Sequence, residues 1–169
     1  MASKIKVDQI QTIDGTGTIA LQNQLSGMTS ASMPTGSVLQ VVHADFSTEV
    51  NIGGGFADIG LSANITPIAT SSKILVTSNI QAYLNGSGFI MVRILRDSTV
   101  ITTQYQAHGF SDNSANMVPM IALDSPSTTS AITYTVQAGE DDFSGTLRVN
   151  QWGTGGTGKS TITLMEIAG

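Results

Sequence analysis

The sequence predicts an all-β protein, a sandwich or jelly roll of short strands. Of its 169 residues, 17 are Ile, 21 Thr and 11 Val, the branched side chains that suit a pleated surface. Apolar residues alternate with polar ones along short runs, while the three-to-four-residue spacing of an amphipathic helix is nearly absent. Turn residues punctuate these runs at intervals typical of a sandwich, with no strand–helix alternation that would support a parallel sheet.

The elements follow in order. Residues 4–12 and 16–21 read as two short strands joined by Asp14-Gly15, a turn dipeptide. Residues 23–36 are small and polar, with Gly27, Pro34 and Gly36, and read as a linker. The first strand of the main domain is 38–44, and Gly53-Gly54-Gly55 separates it from 56–65, which ends at Thr66-Pro67. Residues 73–84 place Ile74, Val76, Ser78, Ile80, Ala82 and Leu84 on one face and stop at Asn85-Gly86. Strands at 89–95 and 100–106 flank a hairpin at Arg96 to Thr99, and 117–123, 131–138, 146–152 and 161–167 complete the set. The division is therefore an N-terminal segment, 1–33, and a β-sandwich head, 37–169.

Composition narrows the function. Seven Lys+Arg against twelve Asp+Glu leave a net charge of −5, which argues against an electrostatic nucleic-acid binder. Charged residues are 11% of the chain, against roughly 25% in ordinary soluble domains. Ser, Thr, Asn, Gln and Gly take their place, and burying such groups against sister copies costs far less than burying ions. There is no Cys, so neither a disulfide framework nor a thiolate metal site is expected. No apolar run is long enough to span a membrane as a helix, and the first residues lack the apolar stretch of a secretory signal.

One motif invites an enzymatic reading. Residues 153–160, GTGGTGKS, match the nucleotide-binding P-loop at Gly153, Gly158, Lys159 and Ser160. That mechanism needs a helix behind the loop, whose N-terminus holds the phosphates, and a later acidic strand for magnesium. The remaining TITLMEIAG alternates like a strand, so the match reads as a chance product of a Gly/Thr-rich hairpin. His43 and His108 stand alone, without metal-ligand spacing. Glu140, Asp141 and Asp142 form an acidic triplet that lacks the spaced oxygens of a calcium loop and reads as a solvated turn. No catalytic residue, cofactor or metal is expected. Exposed aromatic rings are the remaining ligand candidates, since a flat ring covers the apolar face of a sugar: Trp152 beside the Gly-rich loop, and Tyr105 and Phe110 beside 107–116.

Several strings resemble a known group in their order along the chain: GSVLQVV at 36–42, DIGLSANITP at 58–67, TSSKILV at 70–76, RDSTVI at 96–101, LDSPSTTSAITYTVQ at 123–137 and STITLMEI at 160–167. Together they look like the C-terminal domain recurrent in tail-fibre and other virion proteins of tailed bacteriophages, cyanophages especially. KIKVDQIQ at 4–11 is similar to the leader many of these carry, which assigns virion anchoring to Ile5, Val7 and Ile10. The resemblance covers nearly the whole chain but lacks a long shaft between leader and domain. It implies a non-enzymatic structural protein of the virion: a homotrimeric jelly-roll head on a short fibre or spike, bound to other virion proteins through its N-terminus and contacting a host-surface glycan. A capsid cement or decoration (head-fibre) protein is the alternative, and a free carbohydrate-binding module the third reading. Residues 107–116 and 139–145 are the loops expected to read a receptor. No nucleic acid or membrane is expected as a partner.

Overall fold

Among the described residues there are ten strands, the longer ones alternating apolar and polar side chains as the sequence directs: β1 (Val38–Phe46), β2 (Val50–Ile52), β3 (Ala57–Ile65), β4 (Lys73–Arg96), β5 (Thr99–Phe110), β6 (Ser114–Asp124), β7 (Ile132–Val149), β8 (Gln151–Trp152), β9 (Gly156–Thr157) and β10 (Ser160–Ile167). The structure, a computed structural model, describes residues 33–110, 113–152 and 155–169, with backbone alone at 106, 108, 110 and 141–144. The strands expected at 4–12 and 16–21, nearly all of the linker, and Ile5, Val7 and Ile10 lie outside the described residues, as does Gly153.

β4 is the spine. On one side its first half pairs β10, followed by β7; on the other side it pairs β6 and then β5. All these pairings are antiparallel. β1 continues the ladder beyond β10, and β3 and β2 continue it beyond β7. Divided where β4 bends, the strands form two sheets, β1-β10-β4-β6 and β3-β7-β4-β5. Chain connections pass from one sheet to the other after β1, after β3, within β4, and after each of β5, β6 and β7. That strand order is a jelly roll.

Two boundaries differ from the sequence reading. Residues 73–84 and 89–95 were expected as separate strands divided at Asn85-Gly86; the chain instead runs through as one strand. Gly86 and Gly88 take φ values of 132° and 152°, and the register shifts between Ser87 and Phe89. Glycine here makes a bulge and bend that carries the strand between sheets, where the same residues in sequence also suit a turn. Likewise 131–138 and 146–152 belong largely to one strand, β7, with only Gln151 and Trp152 beyond it in β8. The expected receptor loops shrink accordingly. Residues 139–145 are β7 backbone, and 107–116 reduce to the short β5–β6 connection.

The core lies between the sheets. The even-numbered residues of β4, from Ile74 through Val76, Ile80 and Leu84 to Ile90, Val92 and Ile94, are buried along both halves. They meet Ile59 and Leu61 of β3, Tyr134 and Val136 of β7, and Ile162 and Leu164 of β10. Burial at roughly 25 cal/mol per Å² of apolar surface is the main force holding the sheets together. Two polar clamps fasten the rim. The buried Tyr134 hydroxyl donates to Asp124 Oδ2 at 2.7 Å, and Arg96 Nη1 pairs with the same oxygen at 2.6 Å. Glu166, fully buried, accepts from Gln40 Nε2 at 2.5 Å and from the Ile68 amide at 2.7 Å, tying β10 to β1 and to the β3–β4 connection.

Candidate functional site

The residues of the P-loop match serve the scaffold. β10 begins at Ser160, so a strand stands where phosphate binding needs a helix N-terminus. Ser160 Oγ is buried. It donates to Asn150 Oδ1 at 2.6 Å and accepts from the Gln81 amide at 3.0 Å, stitching β10 to β4 and to the turn after β7. Lys159 Nζ lies 3.2 Å from Asp45 Oδ2 in an exposed pair. Gly158 packs so closely on the Gln81 side chain that a Cβ would overlap it.

Among the other sequence candidates, Trp152 is exposed on the β8–β9 hairpin, its side chain resting on Gly156. The Phe110 and His108 side chains lie outside the described residues. His43 is exposed with Nδ1 2.9 Å from Thr163 Oγ1. The acidic triplet was expected in a turn and is part of β7 instead. Glu140 receives the Gly54 amide on its carboxylate, and its own amide donates to the Gly54 carbonyl at 3.2 Å. Among the described residues no cluster of His, Asp or Glu is arranged to hold a metal ion.

Tyr105 anchors the most developed surface feature. It is 68% exposed on the outward face of β5. The Gly53-Gly54-Gly55 connection folds over β7 at Gly139, whose hydrogen points at the Gly55–Phe56 backbone; a Cβ there would sit 3.0 Å from Gly55 C and Phe56 N. This close approach sets Phe56 beside Tyr105, ring centroids 6.0 Å apart and planes at 69°, the edge-to-face arrangement aromatic quadrupoles favour. Arg93 Cζ lies 4.3 Å from the centre of the Phe56 ring, a cation–π contact. A polar row continues across the sheet: Arg93 Nε donates to Gln137 Oε1 at 2.7 Å, and Gln137 Nε2 to Asp58 Oδ1 at 3.3 Å. Strand register makes this row, because Gln137 pairs with both Arg93 and Asp58. The result is an aromatic ledge flanked by fixed donors and acceptors, the chemistry that grips a sugar ring by its face and its hydroxyls. Of its residues only Tyr105 was a sequence candidate. Phe56, Arg93, Gln137 and Asp58 are scattered along the chain, and only the pairing of β3, β4 and β7 brings them together.

A separate groove of about 340 Å³ lies along β6, lined by Thr77, Ser78, Thr102, Gln104, Pro119 and Ile121 among others. Ser78 Oγ is buried there with no hydrogen-bond partner.

No protein-family model matches the chain, and no curated protein matches it. Among solved structures, the chain is similar to the structure of infectious bursal disease virus Gt strain (16% identity, TM-score 0.40, 77% of this chain and 38% of that one). It is also similar to infectious bursal virus derived T=1 particles (13%, TM-score 0.44, 78% and 37%) and to infectious bursal disease virus Gx strain (14%, TM-score 0.43, 77% and 37%). The chain spans little more than a third of the length of these chains. The jelly-roll assignment stands on the strand order of this chain itself.

Proposed function

We propose that the chain is a non-enzymatic structural component of a tailed-phage virion, a short homotrimeric fibre or spike. Residues 1–33 anchor it to the particle through Ile5, Val7 and Ile10, and the β-sandwich head of 37–169 meets a host-surface glycan. The observation that carries this reading is the ordered series of strings resembling phage virion proteins, laid out on a jelly roll that presents an aromatic ledge of Tyr105, Phe56 and Arg93. The low charge and the structural employment of Lys159 and Ser160 agree with a protein that binds and does no chemistry. A single ledge of this kind is a weak site, but three on one head and many on one particle multiply into strong attachment.

The test is competition. Purified protein added to host cells blocks adsorption of particles carrying it, and Tyr105→Ala and Arg93→Ala lose that ability while keeping the wild-type fold by circular dichroism. Failure of the wild-type protein to compete, with the chain still found on particles, favours the cement or decoration role. Changing Ile5, Val7 and Ile10 together to Asp leaves the head folded and removes it from particles. Particles that retain this variant contradict the anchor.

A further inference from the structure

We infer that the outer face of the β1-β10-β4-β6 sheet is the surface through which copies of this chain associate. The ladder registers align Val41, Met165, Leu75 and Leu123 as one continuous row across all four strands. The next row is His43, Thr163, Thr77 and Ile121, and the one after that runs from Asp45 to Pro119. Ile121 is 68% exposed, Leu123 60% and Val41 56%, on strands whose opposite faces are buried in the core. An antiparallel sheet with one solvated face ordinarily makes that face polar. Here it carries a band of large aliphatic side chains.

The occupant is the same face of the other two copies, gathered about a shared axis, for two reasons. Among the described residues of this face the acidic and basic side chains stand at the margins, Lys73 at one end and at the other Asp45, already paired with Lys159, while His43 between them is hydrogen-bonded to Thr163. Identical copies therefore meet without repulsion, whereas a charged partner finds nothing on the face to steer it. The area also fits. Four strands about 4.8 Å apart and outward rows about 6.8 Å apart give roughly 500 Å² in projection, before the standing side chains are counted. A specific interface takes about 800 Å² from each partner. The opposite sheet carries Arg93, Gln137 and Asp58 outward, so association through the aliphatic face leaves the aromatic ledges pointing away from the symmetry axis. This inference takes from the proposed function only the number of copies.

Sedimentation velocity of the full chain tests it. Wild type sediments as an oligomer. Ile121→Glu combined with Leu123→Glu associates on the order of 100-fold more weakly and sediments as a monomer, with unchanged circular dichroism. Thr135→Glu, on the outer face of the opposite sheet, remains oligomeric. A wild-type monomer, or a double variant that stays oligomeric, overturns the inference. Particles carrying the chain in monomeric form overturn it while leaving the virion role standing. An oligomer absent from particles overturns the virion role alone.

Discussion

Ser160 Oγ reaches Asn150 Oδ1 at 2.6 Å inside the protein while the neighbouring Lys159 stands in solvent. In a phosphate-binding loop both side chains face the ligand. Here one holds the scaffold and the other decorates it. Ser160→Ala leaves the Gln81 amide and Asn150 without their shared hydroxyl and costs about 2 kcal/mol. Lys159→Ala breaks an exposed ion pair and changes stability by less than about 0.5 kcal/mol. Urea denaturation of the two variants separates these values, and magnesium-ATP leaves the melting temperature of wild type unmoved. A nucleotide-dependent rise in melting temperature that Lys159→Ala abolishes would restore the enzymatic reading.

Gly60 of β3 and Phe46 of β1 fasten the two sheets at one edge of the sandwich. Gly60 has φ 79° in the irregular stretch of β3 between Asp58 and Ser62, and a Cβ added there would lie 2.5 Å from Phe46 Cζ. Gly60→Ala therefore meets both a strained backbone and an occupied space, and costs on the order of 2–4 kcal/mol. Gly53→Ala, with open space around it and no positive φ, stays within about 1 kcal/mol of wild type. Thermal melts of the two variants check the contrast.

What the sequence conveyed and what it withheld divide along a physical line. Alternation is local, so the buried face of β4 from Ile74 to Leu84 was legible residue by residue. The passage through Asn85 to Gly88 was not, because glycine serves a turn and a strand bulge equally, and pairing with β7 on the neighbouring side decides between them. Cross-strand register is a property of the whole sheet. Hence Tyr105 could be suspected as an exposed ring, while its neighbours Phe56 and Arg93 could not. Glu166 gave no local signal either: a carboxylate in a strand ordinarily faces solvent, and its partners Gln40 and Ile68 are remote in sequence.

Glu166 gives the acid limit of stability. Burial alone would raise its pKa, but Ser72, Gln40 and the Ile68 and Ala69 amides more than offset this and hold it below the ordinary 4.5. A depressed folded value means the stabilisation is complete above the unfolded pKa and disappears as pH falls through the folded one. Wild type should lose stability below about pH 4.5. Glu166→Gln loses that part of the acid dependence and costs about 2 kcal/mol at neutral pH, since an amide offers one acceptor where the carboxylate offers two. Denaturation midpoints of both proteins across the acid range measure the difference. Identical slopes would mean Glu166 titrates normally.

The alkaline limit belongs to Tyr134. Burial, followed by the hydrogen bond to the Asp124 carboxylate, holds its hydroxyl protonated far above the phenol value of 10.0. Here the folded value is raised, so the sign reverses. The stabilisation is complete below the unfolded pKa and is lost as pH rises past it, because only the unfolded chain can release the proton. Above about pH 10 wild type should lose up to roughly 1.4 kcal/mol for each further pH unit beyond what Tyr134→Phe loses. The variant starts about 1 kcal/mol less stable, Asp124 keeping Arg96 as its partner but losing the hydroxyl. The two stability curves therefore converge and cross on the alkaline side, and curves that remain parallel there would show that Tyr134 ionises in the folded protein as readily as in the unfolded chain.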